Sequence, residues 1–164
     1  MISAGESMEI PLINAEEVLE LKSMAQQSAR SRHAKILHAP GAYENKVFNA
    51  MLSTSYMQPH QHPGVEKVEK IHLVKGKLCV IFFDNDGNIT KRHMLTENGL
   101  TLVEVPAYQY HTYIILSEFA LTYETMAGIY HPKNWKKMAS WAPEEKTLEA
   151  KTWLESLREI CKTP

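Results

Sequence analysis

Three histidines are spaced so that they could bind one metal ion. His60 and His62 are separated by one residue, and on an extended chain residues with this spacing point to the same side. His111 follows a turn that begins at Pro106, and on a strand its side chain would share a face with Tyr113. The sequence therefore predicts that two imidazoles from one segment and a third from a later strand face a common point.

A carboxylate near these histidines would complete a ligand set, and the chain offers Glu66 and Glu69. Glu69 alternates with Ile71 and Leu73, so it would lie on the inward face of a strand, where an unpaired carboxylate would be costly to bury. We therefore favour Glu69 as the ligand and expect Glu66 in the preceding loop. Three imidazoles and one carboxylate suit a single divalent ion, Fe, Zn, Ni or Mn, with a position left open for water or substrate.

Further polar residues could line a cavity beside such an ion. Arg32 and His38 lie in a polar segment that could fold over its mouth, or they could simply be surface residues. Five others fall on or beside predicted strands, namely Asn49, Tyr56, Gln58, Tyr113 and Tyr123, although a tyrosine there can equally be a core residue. No nucleophile motif or phosphate-binding glycine loop is present, so catalytic residues stay unassigned. We expect His72, His93 and His131 to be solvated or capping residues.

The histidines lie within a run of short β-like segments that must position them. Predicted strands cover residues 47–54, 68–75, 77–83, 89–95, 100–105, 110–116 and 119–126. Their β-branched and aromatic content and their spacing of roughly 8–12 residues predict a sandwich or barrel. The sequence Asp84-Asn85-Asp86-Gly87 predicts a tight hairpin turn between two of them.

Each end of the chain adds a helix to this β-rich region. Asn14 begins a predicted N-terminal helix that runs to about Arg30. Residues 8–13 before it alternate like a strand, which Pro11 would restrict to a sheet edge. A second amphipathic helix is predicted over residues 144–160. We expect a single domain with an N-terminal strand and helix packed on the barrel at 1–30, the barrel at 31–130 and a C-terminal helical extension at 131–164.

Composition excludes several classes of function. The chain has 164 residues, of which 44% are hydrophobic, with 18 basic and 19 acidic side chains, so it can build a core without a metal staple and does not look like a nucleic-acid-binding protein. No apolar run approaches the roughly 20 residues that span a bilayer, and no signal peptide is evident, so we expect a cytoplasmic protein. Cys79 and Cys161 are expected to be free thiols. We also expect a homodimer formed through an exposed strand edge.

The spacing of the candidate ligands resembles the two metal-binding motifs of the cupin superfamily. The matching positions are His60, His62, Glu69 and Gly76 in the first motif and Gly99, Pro106 and His111 in the second. The sequence departs from the usual motifs by a longer gap between His62 and Glu69, by one additional residue between Gly99 and Pro106, and by Tyr108 in place of a glycine. The resemblance implies a single jelly-roll-like β-barrel and a bound divalent metal ion.

A closer resemblance, over about residues 30–145, is to the WbuC-type family of cupin-fold metalloproteins. The segments that carry it are NAM (49–51), Tyr56, PHQHP (59–63), KGKL (75–78), FDNDG (83–87), YHT (110–112) and WAPEE (141–145). This family is associated with bacterial surface-polysaccharide gene sets, which implies a small-molecule ligand related to a sugar. It does not supply a reaction.

Three functions are consistent with these features. The first is a metal-dependent enzyme acting on a sugar or sugar-nucleotide in surface-polysaccharide synthesis. The second is an Fe(II)-dependent oxygenase of a small molecule, and the third is a non-catalytic module that binds a small molecule through the metal. A proton donor or acceptor beside the open metal position would favour chemistry over binding.

Overall fold

A computed structural model describes residues 10–164 of the chain. These residues fold into two antiparallel β-sheets and two helices with their connecting loops. The helices are α1 (Ala15–Gln27) and α2 (Leu148–Lys162). The strands are β1 (Arg32–Ile36), β2 (Glu44–Leu52), β3 (His60–Gln61), β4 (Glu69–Lys75), β5 (Lys77–Phe83), β6 (Ile89–Thr96), β7 (Leu102–Val105), β8 (Tyr110–Ile115), β9 (Phe119–Ala127) and β10 (Lys137–Met138). The predicted fold class, mainly β with a helix at each end, is confirmed. Over these residues the strands form two facing sheets and no closed barrel of hydrogen bonds.

Each sheet has five strands, and the core lies in three layers. The first sheet has the order β1-β2-β9-β4-β7 and the second has the order β10-β3-β8-β5-β6. The central layer, which includes Ile71 of the first sheet and Leu78 of the second, lies between the sheets. The helix α1 covers the outer face of the first sheet, and α2 covers the outer face of the second.

The sequence of β5 explains why this strand is buried on both faces. Leu78, Val80 and Phe82 point into the central layer, whereas Cys79 and Ile81 point outward to α2. Both faces of this strand are covered, so it is hydrophobic along its length instead of alternating between polar and apolar residues. The turn from β4 to β5 depends on Gly76, which has φ +96° and where an added Cβ would lie 2.4 Å from the Phe119 carbonyl oxygen.

The C-terminal helix begins later than predicted, at Leu148 instead of residue 144. The Thr147 side chain accepts a hydrogen bond from the backbone N–H of Ala150 and caps the helix. Lys146 immediately before it has φ +68°, which is incompatible with an α-helix. The acidic residues at 144 and 145 therefore belong to the segment that leads into the helix.

Three strands were not predicted from the sequence, and one predicted strand is not observed in its described part. The short strands β1, β3 and β10 carry no clear alternation, because β1 and β10 are largely exposed and β3 has only two residues. Residues 10–14 form no strand, consistent with the missing N–H of Pro11, and residues 8 and 9 lie outside the described residues.

Neither described helix is long and apolar enough to cross a membrane.

Candidate metal centre

The second sheet brings the three predicted histidines together. His60 on β3 and His111 on β8 are direct partners across the antiparallel ladder, and His62 follows β3. The ring centroids of His60 and His111 are 4.6 Å apart, and those of His62 and His111 are 5.6 Å apart. All three side chains are buried, and one nitrogen from each lies within 4.8 Å of the other two. The distances suit the binding of one ion by three imidazoles.

Backbone carbonyls fix the tautomer of all three imidazoles. The Nδ1 atom of His60 lies 3.0 Å from the Gln58 oxygen, that of His62 lies 2.9 Å from the Trp135 oxygen, and that of His111 lies 2.9 Å from the Gln109 oxygen. A carbonyl can only accept, so each Nδ1 carries a proton and donates it. In the neutral imidazole the Nε2 lone pair is then free, and the three rings turn these lone pairs toward one another.

Glu69 reaches the same point from the opposite sheet. Its Oε2 lies 3.0 Å from His111 Nε2 and 3.3 Å from His62 Nε2. Burial alone would raise the pKa of this carboxyl, but hydrogen bonds and positive charge at His111 and His62, which a proton or a cation among these groups provides, lower it well below its usual range. Glu69 therefore contributes an anionic oxygen to the three nitrogens.

The three Nε2 lone pairs and the Glu69 carboxylate together form a site that can bind a cation. Burial, together with the neighbouring His111, lowers the pKa of His60 well below its ordinary value, so that ring is neutral. Among the described residues His62 Nε2 is buried and has no hydrogen-bond partner. Lone pairs that face one another and a carboxylate repel unless a proton or a metal ion lies among them. Glu66 is exposed in the loop before β4.

A second carboxyl, Glu124 on β9, is linked to Glu69 through Tyr113. The Tyr113 hydroxyl lies 3.0 Å from Oε1 of Glu69 and 3.0 Å from Oε1 of Glu124. A hydroxyl has one proton, so it can donate to only one carboxyl and must accept from the other. Burial and the charge of Glu69 raise the pKa of Glu124 to about 8, which makes Glu124 the protonated partner. The Thr122 hydroxyl donates to the other Glu124 oxygen.

One cavity of about 430 Å³ is lined by His60, His62, Glu69, Tyr113 and Glu124. Of the residues that the sequence suggested for such a cavity, His38, Asn49 and Tyr113 line it. His38 accepts a hydrogen bond from the Lys46 backbone N–H through Nδ1, which holds its ring against the first sheet.

Four other suggested residues do not line the cavity. The Arg32 guanidinium is paired with Glu145, and the Tyr56 hydroxyl donates to the Pro143 carbonyl. The Gln58 amide donates to the Ala139 carbonyl. Tyr123 follows Thr122 and precedes Glu124 on β9, so strand alternation turns it outward to the α1 layer. Three of these side chains are engaged by residues 139–145, a contact that strand periodicity could not indicate.

Two parts of the site were missed by sequence reasoning. Glu124 was detectable, because a carboxylate in an otherwise apolar strand raises the same question of burial as Glu69. Residues 128–136 carry no periodic pattern, yet Trp135 and Lys136 line the cavity. Lys67 holds this segment in place by donating from Nζ to the Asn134 carbonyl at 3.0 Å and by lying 5.0 Å above the Trp135 ring. His72, His93 and His131 are not among the lining residues.

Solved structures with low sequence identity share this fold. A protein of Shewanella oneidensis, SO0799, has a TM-score of 0.60 at 9% identity and covers 93% of this chain and 99% of its own. The capsular polysaccharide assembling protein CapF from Staphylococcus aureus has a TM-score of 0.51 at 17% identity, with 65% of this chain covered. CapF with the inhibitor 3-isopropenyl-tropolone has a TM-score of 0.54 at 19% identity, again with 65% covered. The chain spans about a third of the length of CapF, 31–32%.

One family model matches the sequence of this chain. None of the curated proteins compared with this chain matches it. The sequence model of the family described as Domain of unknown function (DUF6016) matches residues 13–95. This segment contains His60, His62 and Glu69, three of the four groups that converge on one point. Because the match covers just over half of the chain, the protein belongs to the DUF6016 family.

Proposed function

We propose that this protein binds one divalent metal ion through His60, His62, His111 and Glu69 and acts on a small molecule held at that ion. One observation carries the proposal: the three Nδ1 atoms donate to backbone carbonyls, so three Nε2 lone pairs converge with a carboxylate oxygen. A divalent ion at this point would supply a Lewis acid that polarises a carbonyl or hydroxyl group. The ligand set suits Fe, Zn, Ni and Mn alike, so metal availability decides among them.

The surroundings of the proposed ion favour an enzyme over a binding module. Glu124 lines the same cavity as His60 and His62, and its carboxyl is hydrogen-bonded to Tyr113 beside Glu69. A buried carboxyl next to a metal-held ligand is a group that can give or take a proton. Glu124 and Tyr113 are therefore our candidates for proton transfer.

The sugar-related role is a further part of this proposal. It rests on the resemblance to the WbuC-type family and on the fold shared with CapF, which is called a capsular polysaccharide assembling protein. The substrate on this hypothesis is a sugar or sugar-nucleotide of a surface-polysaccharide pathway in the cytoplasm. The protein would act as a homodimer, which light scattering of the purified protein would test.

Metal content tests the first part of the proposal. Protein purified without a metal-affinity tag should contain about one equivalent of a divalent metal by mass spectrometry. His60→Ala, His111→Ala and Glu69→Gln should each lose most of it, because each change removes one of the four ligands. His33→Ala is the matched control, since His33 lies on β1 and does not line the cavity. Equal metal content in the ligand variants and the control would contradict the proposal.

Turnover tests the second part. Metal-loaded protein should convert at least one member of a panel of sugars and nucleotide sugars, and Glu124→Gln should abolish conversion while retaining the metal. Oxygen consumption by the Fe(II)-loaded protein, measured with and without each ligand, would instead indicate the oxygenase. Binding of a ligand without any turnover would indicate the non-catalytic module.

A further inference from the structure

Lys136 differs from the other charged residues of the cavity. Within residues 10–164 its side chain has no ion pair or hydrogen bond, whereas Glu69 and Glu124 are both hydrogen-bonded. Lys136 lines the cavity and is also exposed, so it lies where the cavity meets solvent. A lysine in that position offers an unshared positive charge to whatever enters.

The surroundings of Lys136 are electrically positive. Arg30 and Arg32 both bind the single carboxylate of Glu145, at 2.9 and 2.6 Å, so this cluster carries one unbalanced positive charge. Partial burial of the ammonium group at the cavity mouth and the charges of Arg32 and Arg30 lower the pKa of Lys136, and these effects outweigh the opposing charges of Glu69 and Glu145. A divalent ion bound through one carboxylate, Glu69, would add another net positive charge. The mouth of the cavity therefore favours an anion.

The walls of the cavity are mainly apolar. They include Ile36, Val47, Met57, Met126 and Trp135. The Asn45 amide donates to the carbonyls of Met126 and Gly128, so it is not free to bind a ligand. Polar side chains remain in the lining, among them Asn49 and Thr125, but the large apolar share of the wall suits a ligand with fewer hydroxyls than a sugar, since each buried hydroxyl needs a partner. The volume, about 430 Å³, is in the lower part of the range of about 300–1,000 Å³ for small-molecule sites.

We propose that the ligand of this cavity is a compact organic acid whose inner end chelates the metal, whose body contacts the apolar walls and whose carboxylate binds Lys136. This inference rests on the proposed function, because it uses the metal ion as the inner anchor. It keeps the metal-held small molecule of that function, names an acid with few hydroxyl groups as its class, and takes the place of the sugar-related role.

Pairs of chelators that differ only at the outer end test this inference. Butyrohydroxamic acid and succinic acid monohydroxamate share the chelating group and differ by a methyl against a carboxylate, and the glutaric and adipic monohydroxamates extend the reach. Calorimetry with the metal-loaded protein should show at least one acid binding about tenfold more tightly than its methyl counterpart, as expected for a hydrogen bond between charged groups. Lys136→Met should remove this preference and Lys136→Arg should retain it. Lys133→Met is the matched control, because Lys133 is exposed in the same segment and does not line the cavity.

Metal analysis of every sample separates the possible failures. Protein that holds no metal would contradict the proposed function and this inference together. Metal-loaded protein that binds the acid and methyl compounds equally, or binds neither, would overturn this inference alone. UDP-glucose binding that depends on Lys136, without a preference among the hydroxamates, would assign the lysine to a diphosphate and would also overturn it.

Discussion

At the scale of single residues, Tyr113 decides how Glu69 is held. Its hydroxyl contacts both Glu69 and Glu124 at 3.0 Å in the interior between the two sheets. A partner of this kind orients a metal ligand and sets its basicity, and its removal typically costs about 10–100-fold in metal affinity.

We therefore expect Tyr113→Phe to weaken metal binding by about 10–100-fold, as measured by competition with a chromophoric chelator. Tyr123→Phe is the control, because Tyr123 is equally buried but packs in the layer under α1. Equal metal affinity of the two variants would show that the hydroxyl of Tyr113 does not support metal binding by Glu69.

The sequence predicted the residues that converge better than it predicted those around them. The alternation of side chains on a strand was enough to put Glu69 inward and Glu66 on a loop. It could not assign Tyr56 or Gln58, because their polar groups bind carbonyls at Pro143 and Ala139, far along the chain. Such contacts depend on where the C-terminal segment lies in three dimensions.

At the scale of elements, ion pairs join the start of β1 and the residues just before it to the segment before α2. Arg30 and Arg32 both bind Glu145, and the side chain of Arg32 is 8% exposed. Burial would raise the pKa of the Glu145 carboxyl, but hydrogen bonds and charges from the two arginines outweigh burial and lower the pKa to about 2. The pair therefore stabilises the folded protein while the carboxyl is ionised.

The contribution of Glu145 should depend on pH. A carboxyl whose pKa is lowered by folding contributes stability above its unfolded pKa, about 4.5, and loses it as the pH falls toward 2. Urea unfolding at pH 7 should give Glu145→Gln a deficit of about 1–2 kcal/mol, a modest value because Arg30 is partly solvated. The deficit should shrink between pH 4.5 and 2, and Glu149→Gln, on the first turn of α2, should have little effect. A deficit that does not change with pH would exclude this role of the charge.

The apolar face of α2 should contribute more to stability than this ion pair. Leu157 is 2% exposed and packs on the outer face of the second sheet, whereas Leu148 is 77% exposed. Leu157→Ala should lower the free energy of unfolding by about 2–5 kcal/mol, because it removes buried methyl groups and leaves a cavity. Leu148→Ala should change it by less than about 0.5 kcal/mol. Similar losses for both variants in urea unfolding would mean that α2 is not held by this face.

The strongly patterned elements were predictable and the short ones were not. The hydrophobic run of β5 and the capping residue Asn14 of α1 were recognised directly from sequence. The strands β3 and β10 have two residues each and pair with one another only because the chain returns after residue 127. Local patterns contain no information about such a return.

At the scale of the whole molecule, the apolar core extends well beyond the metal position. Three apolar layers span both sheets and both helices, and two of them lie on the outer faces of the sheets. A core of this extent can stabilise a domain without a metal ion.

Removing the metal with a chelator should therefore leave the far-ultraviolet circular dichroism and the cooperative unfolding of the protein intact. Metal should raise the free energy of unfolding only by mass action, by about 2.7 kcal/mol at a hundredfold excess over the dissociation constant. Thermal unfolding at several free metal concentrations measures this. If the metal-free protein is unfolded, the prediction is wrong and folding requires the metal ion.

The four groups that converge come from both sheets of the molecule, His60 and His111 from the second sheet, His62 from the position that follows β3, and Glu69 from the first sheet. An ion bound there would act as a tie between the two sheets, and its bond lengths allow only a narrow range of sheet separations. The affinity for the metal then depends on the distance between the two sheets. A core substitution that pushes the sheets apart, even at the far end from the histidines, would weaken the tie, so the packing of the interior tunes the metal centre from a distance.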